Sequence, residues 1–296
     1  MKTNEQIIKL KQYPIVDFLC GEGINPISKT GQDFIYSSPF RQDSKPSFSV
    51  NPTKNVFYDY GNDSDKGGVI DLVMKYKKVG FPEACDLIER MDGKEKSSLG
   101  NIAFFSCRPS STNDSLSGAG YEITSVGHLQ HQALIRYVES RKISFQTAYT
   151  FLREIHYNNA KGIFFGVGYQ TNSGGYVVRN EKMKNPINLG KASIKTIIVP
   201  NSKCVLIFEG MFDFLSAVEC FKRPPIHSTI ILNSVSNLQQ AMPLIMEHHK
   251  VFAYLDNDEA GRKALEKLRA TRLEVIDQSD VYRPFNDFND YLKARK

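Results

Sequence analysis

Val205-Leu206-Ile207-Phe208-Glu209-Gly210, Ala253-Tyr254-Leu255-Asp256-Asn257-Asp258 and Phe285-Asn286-Asp287-Phe288-Asn289-Asp290 are the three stretches whose reading decides the fold. Each of the first two opens with an apolar run that is long enough for a buried parallel strand and too short for a core helix. Each then ends abruptly in carboxylates. In an open parallel sheet, ligands sit in the crevice beyond the carboxyl ends of the strands. Acids leaving separate strands therefore converge there, and a convergent set of acids reads as a divalent-metal site.

The residues around these stretches alternate between the two periods. Strand-like runs at 204–208, 229–232, 250–255 and 273–276 are separated by helical patterns near 211–222, 237–249, 259–270 and 287–295. Such alternation predicts an α/β parallel sheet covered on both faces. Asp256 and Asp258, two apart in extended chain, point to one side, while Glu209 and Asp213 leave a strand end and the first helical turn after it.

Upstream, residues 121–200 combine a strand-like start at 121–129 with helical patterns at 134–138 and 144–152, where Ser144 is placed as an N-cap. Two glycine-punctuated strand runs follow at 162–169 and 174–180. Lys182, Lys184, Lys191 and Lys195 then fall in a turn-rich stretch. Charge sets this third apart. Residues 1–100 carry 14 Lys/Arg against 14 Asp/Glu, residues 101–200 carry 11 against 5, and residues 201–296 carry 13 against 13, so the net +6 lies in the middle. A localised excess of this kind fits a polyanion-binding surface or a solvated basic face.

The first 92 residues read as one small α+β unit. A short amphipathic helix begins at Asn4, Pro14 opens a second, and Gly21 and Gly23 are placed to end it. Strand signals at 34–36, 48–50 and 56–58 predict a small antiparallel sheet, and helical spacing returns at 69–76 and 82–91. Phe40, Phe48, Val50, Phe57, Tyr58, Val69, Ile70 and Leu72 are its candidate core. Between 93 and 120 the composition shifts to Ser, Asn, Gly and Lys, which predicts a linker. Its one apolar run, Ile102-Ala103-Phe104-Phe105, is either part of that linker or an edge strand docked on a neighbouring domain.

Several classes are excluded. The five cysteines, Cys20, Cys85, Cys107, Cys204 and Cys220, are odd in number and form no C-x-x-C pair, so neither a disulfide framework nor a zinc knuckle is written in them. His128 with His131, and His248 with His249, lack the partner pattern of a metal site. No apolar run is long enough to cross a bilayer, and the N-terminus lacks a signal peptide's apolar core, so the expected location is cytoplasmic.

Ser38-Pro39-Phe40-Arg41, Lys45-Pro46-Ser47-Phe48-Ser49-Val50, Phe57-Tyr58-Asp59-Tyr60-Gly61-Asn62 and Gly67-Gly68-Val69-Ile70-Asp71-Leu72-Val73 together resemble the N-terminal CHC2-type zinc-binding domain of DnaG-type bacterial primases. Where that family places Cys, His, Cys and Cys, this chain has Ser38, Arg41, Asp59 and Asn62. Arginine donates no lone pair, so zinc is expected to be absent and the unit to be held by its apolar core. Arg41 either pairs with Asp59 at the former metal position or faces water with it.

The C-terminal third carries a second resemblance. Glu209-Gly210-Met211-Phe212-Asp213 is similar to the glutamate motif of TOPRIM domains, Asp256-Asn257-Asp258 with Ala260-Gly261-Arg262 to their D-x-D motif, and Asp287-Phe288-Asn289-Asp290 to the third acidic motif. Residues 121–200 resemble, by arrangement, the basic subdomain that precedes this site in primases.

These resemblances imply a degenerate primase-type zinc-binding domain at 1–92, zinc-ribbon-like but lacking metal. A linker at 93–120, a basic α+β primase-like subdomain at 121–200 and a TOPRIM parallel-sheet domain at 201–296 follow it. They imply Mg²⁺ or Mn²⁺ held by Glu209, Asp213, Asp256, Asp258, Asp287 and Asp290, with Glu209, Asp256 and Asp258 catalytic. Arg179, Lys182, Lys184 and Lys191 would line the approach of single-stranded DNA template and nucleoside triphosphates, with Tyr169 and Tyr176 either stacking on bases or in the core.

The implied activity is synthesis of short RNA primers by a nucleotidyltransferase, with a helicase or another replication or mobilisation protein as partner. Because the chain stops soon after Leu292, the resemblance suggests a compact version from a plasmid or mobile element. A TOPRIM nuclease and a non-catalytic single-stranded-DNA-binding accessory protein remain as alternatives.

Overall fold

The structure is a computed structural model that describes residues 2–62, 65–94 and 120–295. The chain divides into two compact units, Met1–Cys107 and Arg108–Lys296. Most of the expected linker, with its apolar run at 102–105, lies outside the described residues.

In the first unit, helix α1 (Asn4–Lys11) starts on a capping box. Thr3 Oγ1 accepts from the Gln6 N–H at 3.3 Å and Gln6 Oε1 accepts from the Thr3 N–H at 2.9 Å. Pro14 precedes α2 (Ile15–Gly21). Five antiparallel strands then pair in chain order: β1 (Ser28–Thr30), β2 (Asp33–Tyr36), β3 (Phe48–Asn51), β4 (Val56–Asp59) and β5 (Lys66–Gly67). The two outermost strands are two or three residues long, below what alternation in sequence reveals.

Helices α3 (Val69–Lys77) and α4 (Phe81–Lys94) complete the unit. Phe34, Tyr36, Phe48, Val50, Phe57, Val69, Ile70 and Leu72 are buried with Ile15, Phe18 and Leu19 of α2. Of the candidate core, Phe40 is half-buried and packs edge-on to Phe48. Tyr58 alternates to the opposite face of β4, where its ring lies 4.7 Å from that of Tyr60.

The second unit contains two further five-stranded sheets. The first is built from β6 (Glu122–Gly127), β7 (Arg153–Asn159), β8 (Gly162–Gln170), β9 (Tyr176–Arg179) and β10 (Ile187–Leu189), antiparallel and ordered as in the chain. Helices α5 (Gln132–Ser140) and α6 (Phe145–Phe151) lie between β6 and β7 in sequence. Ser144 caps α6 as expected, its Oγ accepting the Thr147 N–H at 3.2 Å.

The last sheet has the order β11-β13-β12-β14-β15, with β11 (Lys195–Ile197), β12 (Cys204–Phe208), β13 (Ser228–Ile231), β14 (Lys250–Tyr254) and β15 (Glu274–Asp277). Its last four strands are the parallel set read from the sequence, while β11 adds an antiparallel edge on β13. One face, with Val205, Ile207, Val251 and Ala253, packs on α8 (Leu238–Ile245) and α9 (Glu259–Arg269) through Leu238, Ala241, Ile245, Leu265 and Leu268. The other face stacks Phe208 on Tyr254 at 4.7 Å. It meets α7 (Met211–Phe221) and α10 (Phe288–Ala294) through Phe214 and Phe288. No helix among the described residues is long and apolar enough to cross a membrane.

Candidate functional site

The register of the central strand pair sets up the site. Phe208 of β12 lies opposite Tyr254 of β14, so the chain leaves both strands side by side. Glu209 follows β12, and its Oε2 accepts the backbone N–H of Asp256 at 3.3 Å. Asp213, in the first turn of α7, is buried. Asp258 is the N-cap of α9, where its Oδ1 accepts the Gly261 N–H at 2.8 Å; Asp287 is the N-cap of α10, where its Oδ1 accepts the Asp290 N–H at 2.6 Å. Each cap engages one oxygen of its carboxylate.

The third acidic stretch is tied to the second by amides. The Asn257 N–H donates to the Asn286 carbonyl at 2.7 Å, Asn257 Nδ2 donates to the Phe285 carbonyl at 2.9 Å, and Asn286 Nδ2 donates to Asp256 Oδ2 at 3.4 Å. Fully buried Asn289 closes the set. Its N–H reaches Asp213 Oδ1 at 3.4 Å, and its Nδ2 donates to Ser216 Oγ at 2.9 Å and to the Arg141 carbonyl at 3.0 Å.

Five acids thus share one field. Burial, then the charges of Asp213, Glu209, Asp287 and Asp258, push Asp256 up to about 9. Burial, then Asp287 and Glu209, push Asp213 up to about 7, against a hydrogen bond from Asn289 and the opposing charge of Arg141. Glu209 is raised by burial and by Asp258 and Asp287, against the hydrogen bond from Asp256. A bound divalent cation would reverse this mutual repulsion.

Among the described residues, no three acid, thiol or imidazole groups are arranged to hold one ion by themselves. Magnesium keeps several waters and is commonly held by one or two carboxylates together with substrate phosphates. Glu209, Asp213, Asp256, Asp258 and Asp287 are brought together. Asp290 is not: it is half-exposed and pairs with Lys293 at 3.1 Å.

Basic groups flank the cluster. Arg141, at the C-cap of α5, lies over the Phe212 ring with its Cζ 4.7 Å from the centroid, and Arg179 lies over the same ring at 6.0 Å. Sequence reasoning selected Arg179 but missed Arg141 and Asn289, whose contact spans 148 residues of chain. Lys182, Lys184 and Lys191 are exposed, and the Lys184 carbonyl accepts from Arg179 Nη2 at 3.2 Å. Tyr169 and Tyr176 serve the core: Tyr169 is buried with its hydroxyl on Asn233 Oδ1, and Tyr176 packs against the buried cluster of Ile155, Tyr157, Val178 and Leu189.

In the first unit, three of the four positions matched to zinc ligands come together without a thiol or imidazole. Ser38 Oγ donates to Asp59 Oδ2 at 2.7 Å, and Arg41 forks onto Asp59 through both terminal nitrogens, with Nη2 2.8 Å from Oδ1. Asn62 instead donates to Asp65 Oδ2 at 3.1 Å.

Comparison with known proteins places families on this geometry. Residues 3–100 match the family described as CHC2 zinc finger, residues 123–188 a domain of unknown function, DUF8464, and residues 206–292 the Toprim-like family. A CHC2 zinc finger near one end and a Toprim-like domain near the other is a pairing similar to that of DnaG-type primases. The Toprim-like match contains all six candidate acids, and the match to DUF8464 coincides with the antiparallel sheet β6–β10.

Among curated primases, that of Neisseria meningitidis serogroup B is 36% identical over 63 residues, 21% of this chain and 10% of the relative. That of Campylobacter jejuni is 32% identical over 89 residues, 30% of this chain and 14% of the relative. The matched segments thus span a small fraction of these relatives' own length. Among solved structures, the zinc-binding and RNA polymerase domains of the Aquifex aeolicus primase align at 20% identity and TM-score 0.35, over 99% of this chain and 82% of that one. The primase fragment of the bacteriophage T7 primase-helicase protein aligns at 17% identity and TM-score 0.41, over 84% and 90%.

Proposed function

We propose that this primase-type chain polymerises ribonucleoside triphosphates into short primers on single-stranded DNA. The observation that carries this reading is the convergence of Glu209, Asp213, Asp256, Asp258 and Asp287 from three chain segments, in a chain that also carries a CHC2-type unit.

Glu209, Asp256 and Asp258 would hold Mg²⁺ or Mn²⁺, with Asp213 and Asp287 completing the negative field. Bound there, the metal would stabilise the charge on the attacking 3′-oxygen and on the pyrophosphate leaving group. The chain's own residues do the rest. The Asp256 N–H fixes the Glu209 carboxylate, and the caps at Asp258 and Asp287 fix two more acids on rigid helix starts. Arg141 and Arg179, held over Phe212, supply positive charge for phosphate oxygens. Exposed Lys182, Lys184 and Lys191 would guide template and triphosphates, and a helicase or another replication protein is the partner this reading calls for.

The test is incorporation of labelled ribonucleotides on circular single-stranded DNA with Mg²⁺ or Mn²⁺, comparing wild type with Glu209→Gln and Asp256→Asn. Short products from wild type alone are expected. A cut strand, or bound and intact DNA with no product under either metal, would contradict the proposal.

A further inference from the structure

The first unit matches a family described as a zinc finger, yet its residues do not supply a zinc site. A structural zinc takes four thiolate or imidazole donors in a tetrahedron. Residues 1–107 contain no histidine, and their cysteines are Cys20, Cys85 and Cys107. Cys20 lies on α2 and Cys85 is buried on α4, so neither belongs to the loops that follow β2 and β4.

Those loops are joined by a closed polar net. Asp59, at the end of β4, is fully buried and both of its oxygens are taken. Oδ1 accepts from Arg41 Nη2 at 2.8 Å and from the Gly61 N–H at 3.0 Å, and Oδ2 accepts from Ser38 Oγ at 2.7 Å and from Arg41 Nη1. Asp43 repeats the pattern from the other loop. Its Oδ1 lies 3.0 Å from Arg41 Nη2, and its Oδ2 accepts from the Ser38 N–H and from Ser47 Oγ, each at 2.9 Å. Ser47 Oγ in turn accepts from Arg41 Nη2 at 2.7 Å.

Space is committed as fully as charge. A Cβ placed on Gly61 would lie 1.7 Å from Arg41 Nη2, so the guanidinium occupies the volume that a side chain there would need. A cation arriving at this point would meet a resident positive charge and carboxylate oxygens already engaged by Arg41, Ser38, Ser47 and the Gly61 N–H.

We infer that the Arg41–Asp59 net, with Asp43, Ser38 and Ser47, makes the cross-link between these two loops that a structural zinc would otherwise make, and that the unit takes up no zinc. A zinc-held fold is lost to chelators because metal binding is part of its folding energy. This unit instead depends on the planar fork of arginine. Lysine keeps the charge but lacks the two-pronged geometry.

The test uses the full chain, produced in zinc-supplemented medium and dialysed. Zinc is measured by elemental mass spectrometry, and the first unit is followed by hydrogen exchange of peptides covering residues 33–67, with and without EDTA. This readout is independent of primer synthesis and of any metal in the second unit. The expected result is zinc well below one ion per chain, exchange unchanged by EDTA, and exchange about tenfold faster or more in Arg41→Lys. One zinc per chain surviving dialysis, faster exchange of these peptides in EDTA, or wild-type exchange in Arg41→Lys would each overturn the inference.

Discussion

Gly261 shows how closely the backbone is drawn around the acidic cluster. It sits in the first turn of α9, and a Cβ added to it would lie 2.1 Å from the Asp256 carbonyl oxygen. Backbone cannot yield as a side-chain tip can, so Gly261→Ala must displace either α9 or the Asp256 loop. The expected cost is about 1–3 kcal/mol in thermal unfolding, with a loss of primer synthesis larger than that destabilisation alone explains. A variant with wild-type melting and full activity would show that the close approach is not needed.

Single residues also mark where the sequence could and could not be read. The placing of Glu209, Asp256 and Asp258 beyond the ends of β12 and β14 was legible because a short apolar strand precedes them. Asp290 has a second, local reason for its spacing from Asp287, since Asp287 Oδ1 takes the Asp290 N–H at the start of α10. Arg141 and Asn289 were illegible because their meeting is a tertiary event with no local pattern.

At the scale of elements, α6 depends on a distant acid. Glu219 of α7 accepts from Ser144 Oγ at 2.6 Å and from the Ser144 N–H at 2.9 Å, at the N-cap of α6. Burial alone would raise its pKa, but the hydrogen bonds from Ser144 and Thr147 and the charge of Lys222 outweigh it, and the carboxyl lies below its usual range. A depressed carboxyl adds stability that is fully present above its unfolded pKa of about 4.3 and is lost as pH falls through the folded value. Melting of wild type should therefore fall more steeply than that of Glu219→Gln below about pH 4.3, with the variant destabilised by about 1.5–3 kcal/mol near neutrality. Parallel curves over this range would show that the charge contributes nothing.

The longest of the strands missed by sequence reasoning, the seven-residue β7, has a similar lesson. In β7, Arg153, Ile155 and Tyr157 face inward and Glu154 and His156 are only half-buried, so the alternation includes a buried arginine and loses its apolar signature. Arg153 is accommodated there because its Nη1 donates to the carbonyls of Tyr149 and Leu152 at 3.2 and 2.7 Å. The strands β12 and β14, apolar apart from Lys250, were legible for the opposite reason.

For the whole molecule, the basic excess of residues 101–200 makes a prediction about ionic strength. If Lys182, Lys184 and Lys191 contact the strand, binding of single-stranded DNA should weaken with salt. Each lysine replaced by alanine should lower the magnitude of the log–log slope by about 0.7. A slope unchanged in the triple variant, measured by fluorescence anisotropy, would leave these lysines as a solvated face.

The central claim is that acids from three chain segments together create one site for a divalent metal, and titration with Mn²⁺ followed by the electron paramagnetic resonance of the free ion tests it most directly. With template and nucleoside triphosphate present, wild type and Asp290→Asn should bind Mn²⁺ alike, and Asp256→Asn and Glu209→Gln should lose that binding. Equal binding by Asp256→Asn and wild type, or no binding by wild type, would contradict the account.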